Sequence, residues 1–405
     1  MKILYIGTVS ENNEYEKILK ESRVKASAAP QTFETAFVKG FIENGVDDDD
    51  IQFLSCPMIA SYPGSKMLFW GAKKQKLLET YDVTWIPTVN VQGVKMTTQE
   101  VFSKKLIENW FKENEETKEK CVLLYSLYKP VLKNVLSLCK KYGCKCFSFV
   151  PDLPKHMYLN KRGIRAVIAS RYVRKAVAMQ DKLDGYIYLT EAMKGEIAPE
   201  KPYIVVEGIA DNSGSAPAQV SRKNNVIMYA GAISARYGFQ NLIEAFSSLS
   251  GDYELHIYGY GDYAAELEEK AKKDTRIKYF GRRPRAEIIE KEKEAALLVN
   301  VRNPDDEFTK FSFPSKTMEY MLSGTPLLTS RLPGIPEVYF DHCLSIKDNE
   351  PESIKSALEK FFALDEDERE AIGNGAHEFI KNEKNQKVQA EKVLSFLEQC
   401  VCDNG

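Results

Sequence analysis

Over the first two hundred residues, short runs of consecutive apolar residues alternate with longer stretches whose apolar positions recur every three or four residues. The runs are KILYIGT, IQFL, VTWIPTV, CVLLYSL, CFSFV and GYIYLT; the periodic stretches are TFETAFVKGFIENGV, EVFSKKLIENWF and PVLKNVLSLCKKYG. Near-continuous apolar runs predict strands buried on both faces, and the 3.6-residue period predicts amphipathic helices covering them. The expectation is an α/β domain with a parallel sheet.

After YIVVEGI the patterning stops. ADNSGSAPAQVSRKNN is polar and aperiodic, as a linker is. The alternation resumes with VIMYAG, a helix in FQNLIEAFSSL, ELHIYG, a helix in YAAELEEKAKK, IKYFG, a helix in AEIIEKEKEAA, LLVNV, then PLLTS and LSIKD. The pattern predicts two doubly wound, Rossmann-like domains: residues 1–209, a linker over 210–224, and residues 225–384. A last helical pattern, about 385–405, is expected to pack back on the first domain. Two such domains bound a cleft at the carboxyl ends of their strands, where open α/β sheets place ligands.

Composition narrows the class. A chain of 405 residues, 43% hydrophobic and 28% charged, has room for two globular cores. The start, MKILYIGTVS, carries no charged leader, and no apolar stretch approaches the roughly 18 residues of a membrane span, so a cytoplasmic location is expected. The eight cysteines lack paired metal-ligand spacing and read as reduced structural thiols. The net charge of −2 hides an asymmetry: residues 1–200 carry 30 Lys and Arg against 24 Asp and Glu, a surplus of +6, so the remainder carries −8. In SKMLFWGAKKQK (65–76) and KRGIRAVIASRYVRK (161–175) the positive charge is interleaved with Phe, Trp, Ile and Val. Such stretches suit peripheral contact with an anionic membrane, or else a solvated helix face over an ordinary core. No nucleic-acid-reading module accompanies them, so nucleic acid is not an expected partner.

The stretch FSFPSKTMEYMLSG raises a specific question. Ser315 is a good N-cap and Lys316 follows it, yet a cation is unfavourable at the positive end of a helix. An anion bound by Lys316 and the first-turn amides resolves this. Other strand-end loops of the same domain offer matching chemistry. MYAGAISARYGF carries Gly231, Arg236, Tyr237 and Gly238; HIYGYGDY carries Gly259 and Gly261; LLVNVRNPDDEFTKFSFPSK carries Asn300, Arg302 and Lys310. Strand-end glycines let backbone approach a ligand, and cations from several loops can converge on a diphosphate. In the first domain, Gly7, Thr8 and Asp152 sit at strand ends expected to face the cleft, with Asp152 either a base or hydroxyl anchor or a turn residue. His156 reads as a surface or structural residue.

MYAGAISARYGFQNLIEAF followed by EFTKFSFPSKTMEYMLSGTPLLTS resembles the donor-binding domain of the retaining GT-B glycosyltransferases of group 1, or family 4. The closest likeness is to the bacterial branch that builds capsule, exopolysaccharide and lipid-linked oligosaccharides. The resemblance is strong over about 225–345 and looser over the first domain. It implies a nucleotide diphosphate sugar held by the second domain and transferred with retention, without metal or other cofactor, to a glycan or lipid-linked acceptor. Glu319 matches the second glutamate of the E-x7-E motif, which accepts from the ribose hydroxyls. Phe311 stands at the first glutamate's position, leaving the backbone around Ser312, Phe313, Pro314 and Ser315, or Glu307, for the sugar. Ala232 and Tyr237 occupy the positions of the family's Arg and Lys pair, which makes Arg236 with Lys316 the expected diphosphate cations and Arg302 and Lys310 the reserves. Gly208 corresponds to the glycine ending the first domain's last strand. These departures keep two other readings open: a non-catalytic nucleotide-sugar-binding or scaffold subunit, and a same-fold epimerase or phosphorylase.

Overall fold

The structure, a computed structural model, describes residues 1–24, 29–153, 174–212 and 222–402. The chain divides into two compact units, Met1–Glu207 with Gln386–Gly405, and Gly208–Asn385.

The first unit is built on β1 (Lys2–Gly7), β2 (Ile51–Ser55), β3 (Lys74–Leu77), β4 (Tyr81–Trp85), β5 (Lys120–Tyr125), β6 (Lys145–Val150), β7 (Gly185–Tyr188) and β8 (Tyr203–Val205). They lie in the order β8-β7-β6-β5-β1-β2-β4-β3, and only β3 runs antiparallel to its neighbour. The order reverses between β1 and β5, where open α/β sheets leave a crevice at the carboxyl ends. Helices α1 (Asn12–Glu21), α2 (Ala29–Glu43), α3 (Lys95–Glu113) and α4 (Lys129–Tyr142) supply the connections. α2 buries Phe37 against Tyr5 and Phe149, with ring centroids 6.1 and 4.9 Å away. A fully buried aromatic of this kind contributes about 2 to 3 kcal/mol. α4 ends at Gly143, whose φ of 62° is the left-handed conformation that closes a helix without a Cβ penalty.

The second unit repeats the design with β9 (Val226–Ala232), β10 (Glu254–Tyr260), β11 (Ile277–Gly281), β12 (Leu297–Asn300), β13 (Leu327–Ser330) and β14 (Leu344–Ile346), all parallel, in the order β11-β10-β9-β12-β13-β14. This is the Rossmann order, with its switch point between β9 and β12. α5 (Phe239–Ser247), α6 (Ala264–Lys273), α7 (Arg285–Glu294), α8 (Ser315–Leu322), α9 (Pro351–Ala363) and α10 (Glu366–Glu383) cover the sheet. The capping box of Asp365 and Glu368 starts α10.

The last helix, α11 (Gln386–Cys402), belongs to the first unit. It lies against α2 at Gly40, where a Cβ would overlap the Gln386 carbonyl oxygen, and Phe396 meets Phe147 with centroids 5.7 Å apart. Within the expected linker, Ala210 donates its amide to Lys384 O at 3.0 Å; residues 213–221 lie outside the described ones. Two local expectations are corrected. The basic stretch 65–76 is no helix face: it holds the two-residue strand Phe69–Trp70 and then β3, because Phe69 pairs with Val89 and Lys74 with Thr84. Most of 161–175 is outside the described residues. The other correction concerns Ser315, which is the first helical residue of α8. Pro314, extended at ψ 104°, takes the N-cap position, and no side chain caps the helix.

Candidate functional site

In the second unit the expected residues gather beyond the carboxyl ends of β9, β10 and β12. Gly231, next to last in β9, lies directly opposite Gly259 of β10. Gly259 has φ 141°, and a Cβ there would overlap the Gly231 carbonyl oxygen. The approach of two strands is by itself enough to demand a glycine here. Gly208 likewise packs on Met318, whose sulfur would lie 2.9 Å from an added Cβ.

The loops after β9 and β12 meet at the switch point. Arg302, two residues past β12, lies over the ring of Tyr237, 4.5 Å from its centroid, and Tyr237 also faces Phe308 at 6.3 Å. The Arg302 amide donates to Ser330 Oγ at 2.9 Å, and the buried Nε of Arg302 has no hydrogen-bond partner among the described residues. Asn300 is buried at the end of β12, with Nδ2 3.5 Å from Thr317 Oγ1. Tyr237 thus carries a cation delivered by the neighbouring loop. The backbone of Arg236 sits in the turn Ala235–Tyr237, and its side chain is outside the described residues. Lys310 is exposed on the turn Glu307–Phe311. Ser312 is half-buried, whereas Phe313 is a core residue against Tyr339, 5.3 Å away; Pro314 is buried and Ser315 exposed.

α8 is clamped to β9 by Tyr320, whose hydroxyl accepts from Ala230 N at 2.7 Å and donates to Ala230 O at 2.9 Å. One turn earlier, Lys316 lies between two carboxylates. It donates to Glu292 Oε1 at 3.1 Å and is paired with Glu319, which Arg285 approaches at 3.4 Å on its other oxygen. Glu292 is wholly buried on α7 and its Oε2 has no partner among the described residues. Burial, then the charge of Glu319, raises the Glu292 pKa. Burial also works to raise that of Glu319, but Lys316 and Arg285 outweigh it and hold the carboxylate ionised. For Lys316 burial is the largest effect and lowers the pKa, yet the two carboxylates leave it raised. Lys316 therefore has its charge largely taken up inside the protein. Glu319 is a fixed, ionised acceptor suited to hydroxyl groups; at the start of α8 Thr317 N donates to Pro314 O, and no side chain caps the amides of Ser315 and Lys316, which could face an anion.

The first unit holds a buried carboxylate that belongs to no motif in the sequence. Glu34 of α2 is fully buried beneath the end of β1, where it accepts from Thr8 N at 3.0 and 2.9 Å, from the Thr8 hydroxyl, and from Tyr5 Oη at 2.9 Å. A Cβ on Gly7 would overlap Glu34 Oε2. Both acceptor-side residues are thus engaged by Glu34. Burial raises its pKa to about 7 against the lowering effect of its hydrogen bonds. Tyr125 is pushed well up by burial, then by the charges of Glu34 and Asp152, so the three share one neighbourhood beyond β1, β5 and β6. Asp152 is exposed there. A signal existed: with Phe37, Val38 and Phe41 three, four and seven residues on, Glu34 falls on the apolar stripe of its helix. His156 lies outside the described residues.

No group of three or more metal-ligating side chains occurs among the described residues. Two Rossmann-like domains of this kind make a GT-B fold, and similar solved structures have it over both domains. Sucrose-phosphate synthase from Thermosynechococcus elongatus aligns with TM-score 0.67 and 10% identity, covering 100% of each chain. HepE from Anabaena, solved in complex with UDP, aligns with TM-score 0.63 and 14% identity over 98% of this chain and 100% of that one. The lipopolysaccharide outer core galactosyltransferase WaaB aligns with TM-score 0.63 and 13% identity over 98% and 99%. Residues 215–379 match the family described as Glycosyl transferases group 1, a segment that contains the whole switch-point site. No curated protein sequence matches the chain.

Proposed function

We propose that the chain is a retaining glycosyltransferase that moves a hexosyl or N-acetylhexosaminyl group from a nucleotide diphosphate sugar to a glycan or lipid-linked acceptor in surface polysaccharide biosynthesis. The observation that carries this reading is the placing of Arg302 over Tyr237 beyond β12 and β9, with Asn300 at the end of β12 reaching Thr317 in the first turn of α8, the helix that carries the ionised Glu319, all within the segment that matches group 1. Glu319 would accept from the ribose hydroxyls. As the nucleoside diphosphate departs, negative charge grows on its β-phosphate, and Arg302 with the α8 amides stabilises that charge more in the transition state than in the ground state. Arg302 takes this role ahead of Lys316, whose charge Glu292 and Glu319 already use. A cationic cradle of this kind needs no divalent ion, and transfer is proposed to be metal-independent.

Thermal-shift titration without metal, using UDP, GDP, ADP, CMP and dTDP, tests the reading. UDP comes first because HepE was solved with UDP and with UDP-glucose. A ligand at roughly 100 times its Kd adds about 2.7 kcal/mol. One nucleotide should stabilise the wild type and fail to stabilise Glu319→Ala and Arg302→Ala. If none does, the alternative gains: a non-catalytic scaffold subunit, a reading favoured by Phe311 at the position of the family's first glutamate.

A further inference from the structure

The turn that follows β1 has its anion positions filled by the chain itself. Glu34 accepts from the amides of Thr8 and Val9, and Glu11 accepts from Asn13 N at 3.0 Å and Glu14 N at 3.2 Å at the start of α1. In open α/β sheets the turn after the first strand and the helix start that follows it are where a phosphate is held. A ligand bound beside this turn is therefore expected to be uncharged.

A cavity of about 350 Å³ lies there, between the β1–α1 turn, α2 and the hairpin of β3 and β4. Its size falls within the roughly 300–1,000 Å³ of small-molecule sites. Val9, Val38, Leu77 and Leu78 make its apolar wall, and Ser10 and Thr35 line it with hydroxyls. Gln31 pins the backbone of Ser10, accepting from its amide at 3.0 Å and donating to its carbonyl at 2.7 Å. Ser10 is 2% exposed, yet its hydroxyl has no partner among the described residues. Buried polar groups are ordinarily paired, so this hydroxyl marks the place of a ligand's polar group. Gln31 also donates to Thr35 Oγ1 at 3.3 Å, which leaves the Thr35 proton to be donated elsewhere.

The hairpin wall is held in an unusual backbone conformation. Leu78 and Glu79 have φ of 48° and 61°, in a turn closed by Thr80 N on Leu77 O at 3.0 Å. A two-residue turn of this kind calls for Asn or Gly, and larger side chains there are strained. Such strain persists only where the surroundings enforce it, and it clusters at ligand sites. Here it holds Leu78 and Glu79 on the cavity wall.

We propose that this cavity binds one neutral saccharide unit. The C–H face of a sugar ring suits the four aliphatic side chains, and its hydroxyls, donors and acceptors at once, suit Ser10, Thr35 and Glu79. A purely apolar ligand would leave the Ser10 hydroxyl unpaired. An anion would find the adjoining amides taken and would face Glu11 and Glu79 on the wall. Assigning that unit to the acceptor glycan rests on the glycosyltransferase reading; the site itself does not.

NMR of protein labelled at its Leu and Val methyl groups, titrated with free glucose, galactose, mannose and N-acetylglucosamine at tens of millimolar, tests this. No nucleotide is present, so the result is separate from that of the nucleotide titration. At least one sugar should shift the methyl signals of Leu78, Val9 and Val38 saturably, and its 6-phosphate should bind more weakly. Ser10→Ala should weaken binding about fivefold, the loss of one hydrogen bond. Leu78→Gly, which relieves the left-handed backbone, should also weaken binding while the melting temperature holds or rises. No shift with any of the four sugars, tighter binding of the 6-phosphate, or wild-type affinity in either variant overturns the proposal.

Discussion

The guanidinium of Arg302 rests 4.5 Å from the ring centroid of Tyr237, so that a loop leaving β12 delivers its cation onto the loop leaving β9. The two strands are neighbours at the switch point of the sheet. An arginine held flat on an aromatic face has given up part of its side-chain freedom before any ligand arrives, and its donors stay directed. Arg302→Ala should lower affinity for the nucleoside diphosphate by about 10- to 100-fold, the loss of a charge-assisted bond of roughly 1.5 to 3 kcal/mol. Arg302→Lys should recover only part, since lysine lacks the planar fork. Isothermal titration of both variants checks this; wild-type affinity in Arg302→Ala would remove Arg302 from the site.

Lys316 and Glu292 are expected to differ sharply under substitution. Lys316→Met leaves the ionised Glu319 without its lysine beside an apolar side chain and should cost about 3 kcal/mol, as breaking a buried pair does. Glu292→Gln should cost less than about 1.5 kcal/mol at pH 7, because burial and the charge of Glu319 have already raised the Glu292 pKa to about 8 and favour its protonated form. Urea denaturation of the two variants gives the comparison. Equal losses would mean that Glu292 carries a full charge.

Glu34 links stability to pH. Its folded pKa of about 7 lies above the ordinary 4.5, so between those values the folded state holds the proton more tightly than the unfolded state does. Stability from this group is therefore full below about pH 4.5 and is lost as pH rises through 7, on the order of 3 kcal/mol in all. Glu34→Gln, which cannot titrate, should flatten the dependence of the melting temperature between pH 5 and 7 relative to wild type. An unchanged slope would show that Glu34 ionises normally in the folded protein.

Gly259 and Gly231, though paired across two strands, should not be equivalent. Gly259→Ala adds a Cβ onto the Gly231 carbonyl at a φ of 141° and is expected to destabilise by at least about 3 kcal/mol. Gly231→Ala meets only the Tyr229 hydroxyl, 3.0 Å away, and should cost about 1 kcal/mol. Chemical denaturation of the two variants reads the difference directly.

Both domains were legible in the sequence because strands buried on two faces must be apolar end to end, and CVLLY, VIMYA and LLVN announce themselves. The place of Glu319 on a short helix was legible from MEYMLSG. Glu292 was not: EKEKEAA reads as a solvated run, and only its spacing from Ile288, one turn earlier, hints that it is carried inward.

The sequence by itself determined the alternation of elements, the division of the chain and the loops that carry polar chemistry, since local periodicity and turn residues act over a few positions. The tertiary structure decided what those residues face. Strand order placed Arg302 on Tyr237, the packing of α7 against α8 set Glu292 beside Lys316, and the seating of α2 under β1 brought Glu34 to Gly7 and Thr8. Each relation joins residues 24 to 65 positions apart along the chain. Burial and electrostatics depend on distance in space, which periodicity along the chain does not encode.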